Sequence, residues 1–513
     1  MTFDTKQVDN VDFLSIRTLF FYLLKFALIL LSGLFLGEIA VLIIVGLIFF
    51  SLVKNNLFQT IEIWFLWFFS SNFFIGQSFI SSGFIIDYFG KPSFLLFLIT
   101  LRFFNVNTLR LIKLKFNTFF IFFLALSLFS QIFHNQSPFA VITIGLFYFI
   151  YLIFYVKDLS IKQYKDLLNL FVSVAILQTI ISYLQITQII PATSMVMGDG
   201  AGGSFEWVAG LDDAASGTFG PGMSHIASWY AAMIGLLLLL FWIISRKVKY
   251  AFIAVFSLLQ FVTVDSKTIL GVTVIMMVCL MYNLYKYSRQ FEIKNSKLIG
   301  IFSTSLMGGI VFLSLISLYY EYQSKQGGVT TRTDVSAVYD NEVKESRNLL
   351  IENIGDWGKI KGFNSIYSDF LDDDIIQVFI GYGLQGYNYN GKMSFIESMD
   401  IPLMKLNNLT NSRSALITQF AQSGILGFLI LLISLYYWYK FNMYREPKSR
   451  LELAINCFLK IFLIFTFISA FVYSISFISI VFVSFSAIIA VLKRFSFANS
   501  LINSPIKIIN NSN

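Results

Sequence analysis

The sequence predicts an all-α, polytopic integral membrane protein with about fourteen transmembrane helices and a large helical loop outside the membrane. Hydrophobic residues form 57% of its 513 residues, and charged residues form only 13%. A soluble chain carries about 25% charged residues, so this chain cannot cover its own surface in water. Its apolar runs are continuous, whereas a transmembrane barrel shows alternating segments of about ten residues.

The apolar runs place the predicted spans in order along the chain. They are roughly 19–36, 38–53, 60–80, 93–106, 116–133, 138–156, 167–190, 225–244, 250–264, 268–285, 298–320, 412–439, 453–473 and 474–492. The spans divide the chain into three parts. Residues 1–320 form a membrane domain with eleven spans, 321–411 form the large outer loop, and 412–513 form a second membrane domain with three spans and a tail.

The basic residues of the short loops predict the orientation, because cytoplasmic loops carry an excess of Lys and Arg. The alternate short loops contain only Lys91 and Lys267. Both termini are therefore predicted to be cytoplasmic, and the net charge of +8 is a topology signal that requires no nucleic acid. The basic residues on the predicted cytoplasmic side are Arg102, Arg110, Lys113, Lys115, Lys157, Lys162, Lys165, Arg246, Lys247, Lys249, Lys286, Arg289, Lys294, Lys297, Lys440, Arg445, Lys448, Arg450, Lys493 and Arg494.

Two predicted outer segments are long enough to be functional. Residues 191–224 contain eight Gly and four acidic residues. Residues 321–411 contain eight basic and thirteen acidic residues, with helical character at 335–352 and many aromatic side chains. We expect this loop to be folded and to lie outside the membrane.

Four outer cations are candidate ligands for a lipid diphosphate headgroup: Lys267, Arg332, Arg347 and Arg413. A guanidinium group binds diphosphate oxygens bidentately, and a fixed cation neutralises the leaving group. Simpler roles remain open. Lys267 follows Asp265 closely enough to pair with it, Arg413 lies where it would snorkel, and Arg347 lies near Glu345 on a predicted amphipathic helix.

His225 opens a span after a glycine-rich turn and is a candidate general base, since histidine titrates near neutral pH. An interfacial histidine bonded to a loop carbonyl is an equal alternative, and for His134 it is the preferred one. The glycines of 381–386 are a weak phosphate-loop signal, and we expect instead a turn that permits close backbone approach. Two His and two Cys in separate runs make a metal site unexpected.

Four segments together resemble the bacterial O-antigen polymerase and O-antigen ligase family. The turn at 216–222, Ser-Gly-Thr-Phe-Gly-Pro-Gly, is similar to the Gly-Thr-Phe turn of that family. Residues 265–268, Asp-Ser-Lys-Thr, are similar to its Ser-Arg turn, with Lys in place of Arg. Residues 381–384 and 412–427 are similar to its Gly-x-Gly segment and its last signature, although Arg413-Ser414 stands where the family usually has His-Asn.

The resemblance implies a metal-independent glycosyltransferase without cofactors in the bacterial inner membrane. The implied substrates are donor and acceptor glycans linked to undecaprenyl diphosphate. The implied partners are membrane lipid, a chain-length regulator and a flippase. His225, Arg347 and Arg413 are the expected catalytic residues, and Lys267, Arg332, Arg347 and Arg413 the expected diphosphate ligands. The alternatives are a ligase that transfers the glycan to lipid-A core or protein, and a transporter or flippase without chemistry.

Overall fold

A computed structural model describes much of the predicted membrane domains. The residues described are 12–76, 91–103, 113–134, 138, 141–142, 144–146, 153–154, 159–186, 189, 193–197, 205–209, 217–219, 224–263, 267–291, 293, 375–383, 387–388, 391–392, 415–472 and 480–503. The predicted span at 298–320 and the predicted helix at 335–352 lie outside these residues, as does most of the predicted span at 138–156.

The described chain is helical, with two short antiparallel hairpins. The hairpins are β1 (Thr193–Met197) with β2 (Phe205–Ala209), and β3 (Tyr387–Asn388) with β4 (Gly391–Lys392). The helices are α1 (Ile16–Leu36), α2 (Glu38–Val53), α3 (Leu57–Gly76), α4 (Pro92–Phe103), α5 (Lys115–Phe133), α6 (Ile161–Ile186), α7 (Ser224–Ser245), α8 (Val248–Leu258), α9 (Gln260–Thr263), α10 (Lys267–Lys286), α11 (Ile375–Ile380), α12 (Ala415–Asn442), α13 (Arg450–Val472) and α14 (Ile480–Asn503).

Within the described residues, six helices are long and apolar enough to cross a membrane, which confirms a helical membrane protein. They cover Ile16–Leu36, Lys115–Phe133, Ile161–Gln185, Ile226–Ser245, Gln419–Asn442 and Arg450–Ile468. Four shorter apolar helices cover Glu38–Val53, Pro92–Phe103, Val248–Leu258 and Gly271–Lys286. The total of about fourteen spans stays a prediction.

Two predicted spans are interrupted. The segment expected at 250–264 is divided between α8 and α9 at Leu259. The segment expected at 412–439 is α12, whose helical geometry breaks at Gly424, with φ 63° and ψ −178°. A positive φ is readily adopted only by glycine, so Gly424 fixes the position of this break.

The core of the bundle is aromatic and is centred on α7. In the span of α7, 89% of the residues are buried, compared with 28% in α1. Beside α7, the Phe69 ring lies 5.5 Å from Tyr230 and 6.0 Å from Phe219, with both pairs close to perpendicular. The outer face of α1 exposes Phe20, Phe21 and Leu24, which is typical of a lipid-facing helix.

Contacts between helix termini define one end of the bundle, which we call the Asp12 end. Asp12, just before α1, accepts a hydrogen bond from Lys249 at the start of α8. Lys165, near the start of α6, lies 5.9 Å from the Phe495 ring of α14. Two residues earlier on α14, Lys493 donates to the carbonyl of Phe441 near the end of α12. The Asp12 end is the one predicted to face the cytoplasm.

The other end, which we call the Gly381 end, lies roughly 33–42 Å away, because α6, α7 and α12 have 26, 22 and 28 residues and rise about 1.5 Å per residue. Phe116, at the start of α5, lies 5.1 Å from Phe441, so α5 also begins at the Asp12 end. The Gly381 end therefore gathers the last turns of α5 and α6 and the first turns of α7 and α12.

Candidate functional site

The central feature of the Gly381 end is a crossing of two backbone segments. The loop 381–383 follows α11 and runs against α12 where that helix breaks. The amide of Tyr382 donates to the carbonyl of Ala421 at 3.0 Å, and the amide of Gly383 donates to the carbonyl of Gln422 at 2.9 Å. These bonds satisfy carbonyls that the break in α12 releases from its own ladder.

Glycine is required on both sides of this crossing. Gly381 has φ 72° and Gly424 has φ 63°. A Cβ atom on Gly381 would lie 2.5 Å from the carbonyl oxygen of Gln422, and one on Gly424 would lie 2.5 Å from the amide nitrogen of Gly381. The neighbouring atoms are backbone and cannot move aside. The expectation of a turn with close backbone approach at 381–386 is thus confirmed at Gly381.

Two side chains of helix α5 form hydrogen bonds to the crossing. The hydroxyl of Ser130 donates to the carbonyl of Gly381 at 2.8 Å. Nε2 of His134 lies 3.1 Å from the same carbonyl and acts as its donor, because a carbonyl oxygen only accepts. The preferred expectation for His134, a hydrogen bond to a loop carbonyl, is thus confirmed.

Several buried polar side chains beside the crossing lack a hydrogen-bond partner among the described residues. Gln131 is fully buried on α5, and neither its Oε1 nor its Nε2 has a partner. The same is true of Nε2 of Gln419 on α12 and Oε1 of Gln377 on α11. Buried amides are normally satisfied, so each of these groups could bond to a water molecule or to a hydroxyl group of a ligand.

A second glycine turn at this end is clamped by α6. The amide of Gly217 donates to Oε1 of Gln185 at 2.9 Å, and the amide of Thr218 donates to Oε1 of Gln178 at 2.7 Å. The Thr218 hydroxyl donates to the carbonyl of Phe69 at 2.6 Å. Gly217 has φ 62°, and a Cβ there would collide with Gln178. The turn is therefore fixed in the core, shortly before α7 begins at Ser224.

The predicted site residues divide into two groups. His225 is the second residue of α7 and Lys267 is the first residue of α10, so the backbones of both lie at helix starts. For α7 that start is at the Gly381 end, since the helix finishes next to Lys247, which pairs with Asp12. Their side chains lie outside what the structure describes. Arg332, Arg347 and Arg413 also lie outside it, so the binding of a diphosphate by the four outer cations stays a prediction.

No family model, curated protein or solved structure matches this chain. The assignment of a function therefore depends on the chain's own residues. In the described part of the chain, no group of three His, Cys, Asp or Glu side chains is placed to hold a metal ion.

Two features of the structure were not predicted from the sequence. The lack of hydrogen-bond partners at Gln131, Gln377 and Gln419 could not be predicted, because a glutamine within an apolar helix does not reveal from sequence which groups surround it. Glu62 was also missed. Its Oε1 lies 2.6 Å from Nζ of Lys25, and its side chain is 9% exposed. Glu62 could have been recognised as a candidate functional residue, because it is an isolated acid within the aromatic run at 61–69, and an ionisable residue inside a span is a functional candidate by default.

Proposed function

We propose that the protein is a glycan polymerase at the outer face of the bacterial inner membrane. It would transfer an oligosaccharide or polysaccharide from undecaprenyl diphosphate to a lipid-linked repeat unit. One observation carries the proposal. The Gly381 end brings together the segments at 217–219, 381–383 and 421–424, which belong to three of the four stretches that resemble the polymerase and ligase family.

The proposed reaction needs a neutralised leaving group and a deprotonated acceptor. The acceptor hydroxyl oxygen forms a bond to the anomeric carbon of the donor, and the bond from that carbon to the diphosphate breaks. Lys267, Arg332, Arg347 and Arg413 are the proposed ligands of the departing diphosphate. His225 is the proposed base for the acceptor proton. No metal or other cofactor is proposed.

The unsatisfied amides at the crossing fit this function. Sugars present many hydroxyl groups, each of which donates and accepts, and neutral amides complement them without attracting the diphosphate. Gln131, Gln377 and Gln419 lie on α5, α11 and α12, the three elements that meet at the crossing. This arrangement supports a glycan-binding role for the end of the bundle that also carries His225.

The experiment compares glycan ladders from a deletion strain and a complemented strain. Loss of a polymerase leaves single repeat units attached to the acceptor core, because transfer of one unit continues. Loss of a ligase leaves bare core with lipid-linked polymer. An unchanged ladder in the deletion strain would overturn both functions.

The transporter alternative is favoured by one specific observation, the Lys25–Glu62 ion pair inside the bundle. Loss of a flippase would leave bare core and single lipid-linked units that an impermeant probe cannot reach. Loss of a polymerase would leave those units accessible from outside. The two outcomes therefore separate a flippase from a polymerase in the same deletion strain.

A further inference from the structure

The Asp12 end contains a partly open cavity of about 560 Å³. It lies between the starts of α1 and α6, with Lys249 of α8 at its edge. Its basic lining consists of Lys162, Lys165 and Lys249, and Asn169 adds a neutral amide. The cavity is at the opposite end of the bundle from Gly381, so it is separate from the proposed glycan site.

The two carboxylates of the cavity leave a positive balance. Asp12 is already paired, since its carboxylate lies 2.5 Å from Nζ of Lys249 and 3.0 Å from Nζ of Lys247. Asp166, the other acid in the lining, interacts electrostatically with Lys162 one turn away on α6, so the lining carries three lysines against two acids. Within the described residues, neither Lys162 nor Lys165 has a carboxylate oxygen within 4.0 Å. The ammonium group of Lys165 therefore supplies the excess positive charge that an anion would neutralise, and Lys162 adds to it without a close ion pair.

The helix starts add to this positive potential. Residues from Ser15 to Thr18 form the first turn of α1, and Lys162 and Lys165 lie in the first turns of α6. Amide groups at the start of a long helix carry a partial positive charge and form a ready anion site. Two such starts and two lysines that form no close ion pair with a described carboxylate converge on one cavity.

We propose that this cavity binds a phosphate group and that its usual carrier is the headgroup of an anionic phospholipid. Basic pockets between membrane helices at the cytoplasmic surface suit such headgroups. The cavity borders α1, whose outer face exposes Phe20 and Phe21 as a lipid-facing surface would. A soluble phosphate has the same chemistry and is the second source to be tested.

The experiment titrates the purified full-length protein with phosphatidylglycerol and, separately, with phosphatidylcholine, and measures the bound lipid by native mass spectrometry. The test variant is Lys162→Gln/Lys165→Gln. The matched control is Lys286→Gln/Lys440→Gln, which removes two lysines in the last turns of α10 and α12. Thermal unfolding without lipid verifies that both variants are folded.

We expect phosphatidylglycerol to bind in preference to phosphatidylcholine, and Lys162→Gln/Lys165→Gln to weaken it about 30-fold, equivalent to about 1 kcal/mol per lysine. The control should change binding less than threefold. If inorganic phosphate displaces the lipid at millimolar concentration, the site accepts soluble phosphate as well. Equal retention of the two lipids, or equal weakening in both variants, would overturn the proposal.

Discussion

The amide of Gly383 donates a hydrogen bond to the carbonyl of Gln422 at 2.9 Å, and this bond joins the loop after α11 to the broken turn of α12. Together with the bond from Tyr382 to Ala421, it forms a short ladder between two segments about forty residues apart in sequence. The break in α12 is therefore compensated by the loop, and each segment determines the conformation of the other.

Alanine at Gly381 or Gly424 should strongly destabilise the protein. The added methyl group would overlap backbone atoms at a positive φ, and we expect a cost of roughly 3 kcal/mol or more. The measurement is the thermal unfolding temperature in detergent, together with the glycan ladder. Gly46→Ala is the control, since a Cβ at Gly46 in α2 meets nothing within 4 Å. A wild-type unfolding temperature for Gly381→Ala would contradict the crossing.

Ser130 and His134 should act together on the Gly381 carbonyl. Each single change, Ser130→Ala or His134→Ala, leaves one donor in place, and the loss of one hydrogen bond costs about 1 kcal/mol. The double variant leaves a buried carbonyl without its side-chain donors and should cost more than the sum of the single changes. A double-mutant cycle of unfolding free energies measures this coupling. Strict additivity would show that the two side chains do not share the carbonyl.

Lys267 and Arg413 should affect activity more than folding. Lys267→Arg keeps the cation and should be tolerated, whereas Lys267→Ala should lose on the order of 3 kcal/mol, or a hundredfold or more in rate. Arg413→Lys should be impaired, because a point charge does not replace a bidentate fork. Complementation of a deletion strain, at matched membrane levels, measures polymer length. Full-length polymer from both Lys267→Ala and Arg413→Ala would show that these cations are not needed to bind the diphosphate. The variant His225→Ala tests the proposed base separately.

Asp12 should stabilise the protein at neutral pH and lose that effect in acid. Partial burial opposes its ionisation, but hydrogen bonds from Lys249, Lys247 and Tyr250 outweigh burial and lower the pKa of the carboxyl below its usual 3.8. A lowered folded-state pKa gives stability above the unfolded value that disappears as pH falls through the folded value.

The corresponding measurement compares wild type with Asp12→Asn between pH 7 and pH 2.5. The variant should unfold about 1–2 °C lower at pH 7 and pH 5. The difference should begin to shrink below about pH 4, where the unfolded carboxyl becomes protonated, and should disappear as pH falls through the lower pKa of the folded carboxyl. A difference that stays constant to pH 2.5 would show that Asp12 acts through packing and not through its charge.

The helical membrane character of the fold could be predicted because it depends on local composition. The start of α2 at Glu38 and the end of α5 at Phe133 agree with the predicted spans, since each follows from the extent of one apolar run. The break at Gly424 was not predicted. It depends on a loop that approaches α12 from another part of the chain, and the sequence of α12 alone does not show that approach.

The candidate site was predictable only in part, for the same reason. The close approach at Gly381 was expected from its glycines, but its partner Gly424 and the two donors on α5 depend on how helices pack. The pairing of Lys25 with Glu62 also requires knowing which face of α1 meets α3. Cationic site residues such as Lys267 were chosen by charge and sidedness, and their roles stay predictions.

The contacts of the first described residues have a consequence for the timing of synthesis. The amide of Phe13 donates to the Tyr250 hydroxyl 237 positions later, and that of Ser15 donates to Asn169, 154 positions later. At about 5–20 residues per second, the ribosome needs roughly 10 to 50 s to supply Tyr250 after Phe13. During that interval the segment before α1 lacks its partner on α8, so its final contacts form only after the middle of the chain has been made.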